Sequence, residues 1–243
     1  MSKVAVITGG TSGIGLAAAE IFIKNHYKCA LIGRSEQKAK VALDKLNSDQ
    51  AVYIRADVSI VEDCNRAVNE VIQRFSGIDV LVNSAGLYSE GAISSIEEAE
   101  FNRIFDTNVK GIFFMCRAAI EVLTQTHGAI VNVASDAGIK GNYFCALYSA
   151  SKGAVVAFTK SLALELANVP IRVNCVAPGD VLTPMTEVQL EHSGETVEDL
   201  SSVYPMLRIA KAEEVAEAIY FLASDKASFI TGTVLSVDGG LTA

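Results

Sequence analysis

Tyr148 and Lys152 stand four positions apart in Tyr148-Ser149-Ala150-Ser151-Lys152, a spacing that puts a phenol and an ammonium on one face of a helix. Such a pair can move a proton. A free tyrosine ionises near pH ~10 and is a poor acid or base at neutrality, but a neighbouring cation favours its phenolate and brings it towards a usable range. An exposed Tyr and Lys on an amphipathic helix would show the same spacing, so the elements around the pair decide its meaning.

A second reactant has a place near the start of the chain. The apolar run Val4-Ala5-Val6-Ile7 leads into Thr8-Gly9-Gly10-Thr11-Ser12-Gly13-Ile14-Gly15 and then into a helical pattern. Strand, glycine-rich turn and helix in that order make a phosphate site. Glycine lets the backbone approach a pyrophosphate, and the helix N-terminus turns N–H groups and positive partial charge towards it. The spacing of Gly9, Gly13 and Gly15 departs from GxGxxG, so the position of the turn inside a βαβ unit carries the reading. The second strand ends in Gly33-Arg34-Ser35, where a site selecting NAD carries a carboxylate for the ribose 2′-hydroxyl. Arg34 can pair with a 2′-phosphate and Ser35 can donate a hydroxyl to it. NADP is the expected cofactor, with NAD as the alternative.

These groups need a scaffold, and the apolar patterning describes one. Val4–Ile7, Cys29–Ile32, Val52–Ile54, Val80–Val82, Ile130–Val133, Val173–Val176 and Val234–Val237 read as buried strands. Between them lie helical patterns at Ile14–Lys24, Glu36–Leu46, Val61–Phe75, Phe101–Leu123, Ser149–Leu166 and Ala212–Leu222. Alternation of this kind means crossover units and a doubly wound α/β architecture: a seven-stranded parallel sheet flanked by helices, one domain over residues 1–243. The irregular stretch from Asp180 to Pro205 is long for a compact domain and reads as a substrate lid over 180–205, with a variable surface insertion as the other reading.

Composition narrows the function. With 20 basic and 28 acidic residues the net charge is −8, which argues against nucleic acid or an anionic membrane as the main partner. Val4 to Ala19, the longest charge-free stretch, is interrupted by four glycines; it is too short and too polar to span a bilayer and makes a poor signal peptide. Cys29, Cys64, Cys116, Cys145 and Cys175 form no CxxC pair and no metal-ligand spacing with the three histidines. They read as reduced, buried thiols of a cytoplasmic protein, and no metal site is expected.

The ordered motifs, taken together, make the chain similar to the short-chain dehydrogenase/reductase family over essentially its whole length. The resemblance rests on Thr8 to Gly15 as TGxxxGxG, Asp57 in Asp57-Val58, Asn83-Ser84-Ala85-Gly86 as NxAG, and Asn108 in Thr107-Asn108-Val109. Ser135 after the fifth strand, Tyr148 to Lys152 as YxxxK, and Pro178-Gly179 followed by Thr183 complete it. Ser84 departs from the family, which most often has a second asparagine there.

The resemblance implies a Rossmann-fold oxidoreductase that passes a hydride between NADP(H) and a carbonyl or secondary alcohol. Tyr148 would exchange the proton, Ser135 would hold the substrate oxygen, and Lys152 would lower the Tyr148 pKa and bind the nicotinamide ribose. Asn108 would hold a water linking Lys152 to solvent. Gly9, Thr11, Ser12, Gly13, Ile14 and Gly15 would take the pyrophosphate, Arg34 and Ser35 the 2′-phosphate, and Asp57 and Val58 the adenine. Asn83, Ala85 and Gly86 would back the nicotinamide, although Asn83 reads equally well as an amide bridging strands. Pro178, Gly179, Val181 and Thr183 would meet the carboxamide. A homotetramer is implied, assembled through the helices Phe101–Leu123 and Ser149–Leu166.

Substrate identity is less legible. Leu87, Ile139, Tyr143, Phe144, Leu182, Met185 and Met206 suggest an apolar or mixed pocket for a modest carbonyl compound or alcohol. A 3-oxoacyl-carrier-protein reductase is the rival enzyme reading. Relatives of that type carry arginines where this chain has Gln125-Thr126 and Asn168-Val169, which speaks against carrier-protein docking but not against a free thioester. A dinucleotide-binding redox sensor without turnover is the reading from another class. The intact set of Asn108, Ser135, Tyr148 and Lys152 speaks against it.

Overall fold

In a computed structural model, which describes residues 2–243, the seven apolar runs form one parallel sheet. Its strands are β1 (Val4–Thr8), β2 (Lys28–Gly33), β3 (Ala51–Arg55), β4 (Val80–Asn83), β5 (Ala129–Val133), β6 (Arg172–Pro178) and β9 (Val234–Val237). The order across the sheet is β3-β2-β1-β4-β5-β6-β9, and all six pairings are parallel. The order reverses between β1 and β4. At such a switch point the crossovers leave in opposite directions and open a crevice at the carboxyl ends of the strands.

Helices cover both faces because the central strands are apolar on both. In β1, Val4 and Val6 face α3 (Val61–Phe75), α5 (Ile112–Thr126) and α6 (Ala146–Glu165), while Ala5 and Ile7 face α1 (Gly13–Lys24), α2 (Glu36–Leu46) and α9 (Ala212–Ala223). This is the period-two alternation of a strand buried on two sides. Among the described residues no helix is long and apolar enough to cross a membrane, and no group of His, Cys, Asp and Glu is placed to hold a metal ion. All five cysteines are free and buried.

Two expectations change. The helix expected over Phe101–Leu123 is three pieces: α4 (Glu98–Phe105), a π-helical turn (Asp106–Gly111) and α5. The wide turn has a tertiary cause. Gly111 lies so close to Val58 that an added Cβ would sit 2.9 Å from Val58 Cγ2, and Asn108 is pinned to the Leu87 backbone. The Asp180–Pro205 stretch is ordered into β7 (Val181–Leu182), α7 (Pro184–Ser193) and α8 (Val197–Ser202). A capping box between Thr196 and Asp199 starts α8, and the chain returns through β8 (Ala210–Lys211), which pairs with β7. Thr186 is the buried residue of α7, so this helix had little apolar periodicity to reveal it.

Candidate active site

The turn between β1 and α1 is built by close approach. Gly9 has φ +66°, and a Cβ there would meet the Ala85 backbone at 2.9 Å; a Cβ on Gly15 would sit 2.4 Å from the Gly9 carbonyl oxygen. Thr8 Oγ1 accepts the amides of Ser84 and Ala85, both at 3.1 Å, which ties the turn to the end of β4. Ser12 is the N-cap of α1, yet its side chain makes no capping hydrogen bond and the first turn carries no acidic residue. The leading N–H groups of α1 are thereby left for an anion.

That turn opens onto a cleft of 1010 Å³ lined by Gly9, Thr11, Ser12, Gly13, Ile14, Gly33, Arg34, Ser35, Asp57, Val58, Ala85, Gly86 and Thr183. At one end Arg34 Nη1 lies 3.6 Å from Asp57 Oδ2. Asp57 Oδ1 accepts the Ser59 amide at 3.0 Å and its hydroxyl at 2.7 Å. Ser35 caps α2 by accepting the Lys38 amide at 3.2 Å. Lys38 also lines this end, a second cation that the sequence reading missed; it stands one helical turn past Ser35, the spacing that brings a side chain back to the same rim. At the other end the cleft is bounded by Tyr88, Glu90, Phe144 and the α7 residues Met185, Val188, Gln189 and His192.

The four candidate catalytic residues meet just behind the wall of this cleft. A Cβ on Gly86 would lie 3.5 Å from both Asn108 Oδ1 and Lys152 Nζ, and Tyr88 packs edge-on against Tyr148 with centroids 5.0 Å apart. Asn108, in the π-helical turn, accepts the Leu87 amide at 2.8 Å, donates to the Leu87 carbonyl at 2.9 Å and donates to Ser151 Oγ at 3.1 Å. Lys152 is 5 % exposed and donates to the Val133 carbonyl at 2.9 Å, which leaves two ammonium protons for other partners. Its Nζ sits 5.6 Å from the centroid of the Tyr148 ring. Ser135 follows β5, caps a short 3₁₀ turn and is buried.

Burial is the largest influence on Tyr148 and pushes its phenol up; the Ser135 hydroxyl pulls it back, while Asp136 and Asp180 add to the rise. Burial is likewise the largest influence on Lys152 and drives its ammonium down to about 8.

Other predicted residues fall outside the cleft. Asn83 is fully buried; its amide donates to Asn132 Oδ1 at 2.9 Å and to Cys116 Sγ at 3.3 Å, and Asn132 donates to Thr159 Oγ1 at 2.9 Å. The residue stitches β4 to β5 and α6, in keeping with its reading as an amide bridging strands. Strand alternation was the available signal, since Asn83 follows Leu81 onto the α5 face. Asn83→Leu should cost about 2–3 kcal/mol by leaving the buried Asn132 Oδ1 without a donor, read as a lower thermal midpoint with cofactor affinity of the folded protein unchanged. Gly15, Pro178, Gly179 and Val181 are likewise set back from the cleft. A Cβ on Gly179 would meet the Tyr204 ring at 2.7 Å, and Tyr204 donates to Asp180 Oδ2 at 2.8 Å. Tyr204 thus closes the segment that begins at the end of β6.

Comparison with known proteins places this geometry. The family model described as Enoyl-(Acyl carrier protein) reductase matches residues 9–242. An uncharacterized oxidoreductase of Thermotoga maritima is 38% identical over 99% of this chain and 98% of its own. The 3-oxoacyl-[acyl-carrier-protein] reductase FabG of Staphylococcus aureus is 35% identical with the same coverage. Among solved structures, ElxO with NADP bound superposes with a TM-score of 0.94 at 35% identity, covering 99% of both chains. With matches of this extent over nearly its whole length, the chain belongs to the short-chain dehydrogenase/reductase family of oxidoreductases.

Proposed function

We propose that the protein reduces a modest carbonyl compound with NADPH, or oxidises the corresponding secondary alcohol with NADP, using Tyr148 as the proton donor and acceptor. The observation that carries this reading is the meeting of Lys152 and Asn108 behind Gly86, with Tyr148 packed against Lys152 and Tyr88, beside a cleft that also holds Arg34 and Lys38. The cleft fits a dinucleotide. Gly9, Gly13 and the uncapped N-terminus of α1 form a cradle that side chains would fill, and Arg34, Ser35 and Lys38 supply cations and a hydroxyl for a 2′-phosphate. A structure of the relative ElxO has NADP bound. Bound there, the cofactor supplies or accepts the hydride.

The chain's own residues do the rest. As a carbonyl becomes an alkoxide, negative charge grows on its oxygen, and a proton from Tyr148 quenches it. Ser135 sets the place of that oxygen. Lys152 lies over the Tyr148 ring and has two protons free for a ribose. Asn108 fixes the Leu87 segment beside them. The stretch 180–205 is the substrate lid, since Met185, Val188 and His192 of α7 border the cleft. Phe101 and Phe113 remain exposed on the α4–α5 face, which supports assembly as a homotetramer through these helices and α6. Five free thiols suit the reducing cytoplasm.

A 3-oxoacyl thioester is the second reading for the substrate, favoured by likeness to the Staphylococcus aureus reductase. Titration with NADPH and NADH, followed by cofactor absorbance across ketones, 3-oxoacyl thioesters, sugars and secondary alcohols, separates the two readings. Saturable binding without turnover of any of them would support a redox sensor instead. Cofactor choice has its own test. Gly33→Asp with Arg34→Asn should weaken NADPH binding by roughly 10–100-fold and shift preference to NADH, and Lys38→Ala should weaken NADPH alone by roughly tenfold. An unchanged NADPH/NADH affinity ratio would refute the role of this rim.

A further inference from the structure

Tyr88 and Glu90 both line the cleft, and proton transfer through Tyr148 gives neither a part. The segment that carries them is fastened at both ends to elements that hold the candidate catalytic residues. Asn108 takes both backbone groups of Leu87, and the Gly91 amide donates at 2.7 Å to the carbonyl of Phe144, which precedes α6 and Tyr148. Between these ties Tyr88 packs edge-on against the Tyr148 ring at 5.0 Å, and its hydroxyl donates to Glu90 Oε2 at 2.7 Å. The Glu90 carboxylate is thus held in place by a ring that rests on the reacting one.

Its charge has no cationic partner among the described residues. Of the cations lining the cleft, Arg34 lies beside Asp57 with Lys38 further along α2, and Arg103 is held by both oxygens of Glu100 at 2.7 and 2.8 Å. His192 turns Nδ1 to the Val188 carbonyl of its own helix at 2.6 Å. Gln189 donates to the Tyr88 hydroxyl at 3.5 Å and not to the carboxylate. Glu90 Oε1 therefore has no donor within the protein, and a carboxylate can only accept. Phe144, Met185 and Val188 supply apolar lining to the same cleft, which suits a carbon skeleton that ends in a donor.

We propose that Glu90, braced by Tyr88, determines substrate specificity and selects carbonyl compounds that carry a hydroxyl a few bonds from the carbonyl carbon, over alkyl ketones and oxo acids of the same length. The proposal rests on the reading of this cleft as the site of carbonyl reduction. A hydroxyl gives the waiting carboxylate a charge-assisted hydrogen bond. An alkyl end displaces water from the carboxylate and returns no donor, and an oxo acid brings like charge against it. The alkyl chain of a 3-oxoacyl thioester meets the first of these penalties.

Initial rates with NADPH are compared over three sets of methyl ketones. The first is 4-hydroxy-2-butanone with its next two homologues; the second replaces the hydroxyl by methyl, as in 2-pentanone; the third replaces the terminal CH₂OH by carboxylate, as in acetoacetate. At the best length kcat/KM for the hydroxyketone should exceed that for its alkyl counterpart by roughly 10–100-fold, and that for the oxo acid by more. Glu90→Leu should bring the hydroxy-to-alkyl ratio to within about threefold of unity. Glu90→Gln keeps an acceptor oxygen without the charge and should raise the oxo acid relative to both other sets by roughly tenfold. No preference for the hydroxyketone in the parent protein, a preference that survives Glu90→Leu, or an oxo-acid ratio unmoved in Glu90→Gln overturns the proposal, and the last holds even where Glu90→Leu does not fold. Saturation-transfer NMR on the NADP⁺ complexes reads the same order by binding alone. A Glu90-dependent order without turnover of any ketone sinks the reductase reading and keeps the role of Glu90; turnover without that order sinks Glu90 alone, and no binding of any hydroxyketone sinks both.

Discussion

Replacing Tyr148 with phenylalanine leaves a folded protein that binds NADPH and reduces carbonyl compounds about 10²–10⁴-fold more slowly, the range ascribed to a positioned general acid. The ring stays, so its edge-on packing with Tyr88 at 5.0 Å and the Lys152 ammonium above it are kept. Only the exchangeable proton is gone. Affinity for NADPH, read by fluorescence titration, should hold within about threefold, because the phosphate turn and the Arg34 rim are untouched. A loss confined to KM would place Tyr148 in binding and contradict the acid role.

The second large effect lies at the other end of the reaction. Gly15→Ala forces a methyl to within 2.4 Å of the Gly9 carbonyl oxygen and 2.8 Å of its carbon. Both are backbone atoms of the phosphate turn, so the turn itself must shift. Overpacking of this kind costs about 1–3 kcal/mol of stability, and the displaced N–H groups should weaken NADPH binding by roughly 100-fold. Thermal unfolding and a cofactor titration read the two effects separately. Gly15 lines no part of the cleft, so an unchanged NADPH affinity in a folded variant would show that the turn tolerates the methyl and that the packing account is wrong.

Much of this architecture was legible because the strands are buried on both faces. Runs such as Val4-Ala5-Val6-Ile7 have no reason to be continuously apolar unless helices cover both sides, and the reading of Val234–Val237 needed no adjustment. Glu36–Leu46 and Val61–Phe75 also carry their own boundaries: Ser35 caps the first, and Asn47 and Ser76 end the two in left-handed conformations. What was missed depends on groups distant in sequence. The π-helical turn exists because Gly111 presses on Val58 and Asn108 is held by Leu87, and apolar periodicity reports neither contact. Helices α7 and α8 are mostly exposed and so leave no stripe to detect. The spacing of Tyr148 and Lys152 gave their proximity correctly, whereas the burial that acts on both groups comes from elements distant in sequence.

Asn83 and Lys38 show the same limit at the level of single residues. The NxAG motif named the asparagine, but its face of β4 sets it against Asn132. Conversely Lys38 belonged to no motif, and a helical turn brought it to the rim beside Arg34.

The central claim is that a hydride passes from a nicotinamide to a carbonyl carbon beside Tyr148. Its most direct test uses NADPH deuterated on one face or the other of the transferring nicotinamide carbon, with the alcohol product analysed by mass. One face should deliver its deuterium to the new carbinol carbon and the other should deliver none. Alcohol carrying no deuterium from either face, or no alcohol despite saturable NADPH binding, would contradict the account.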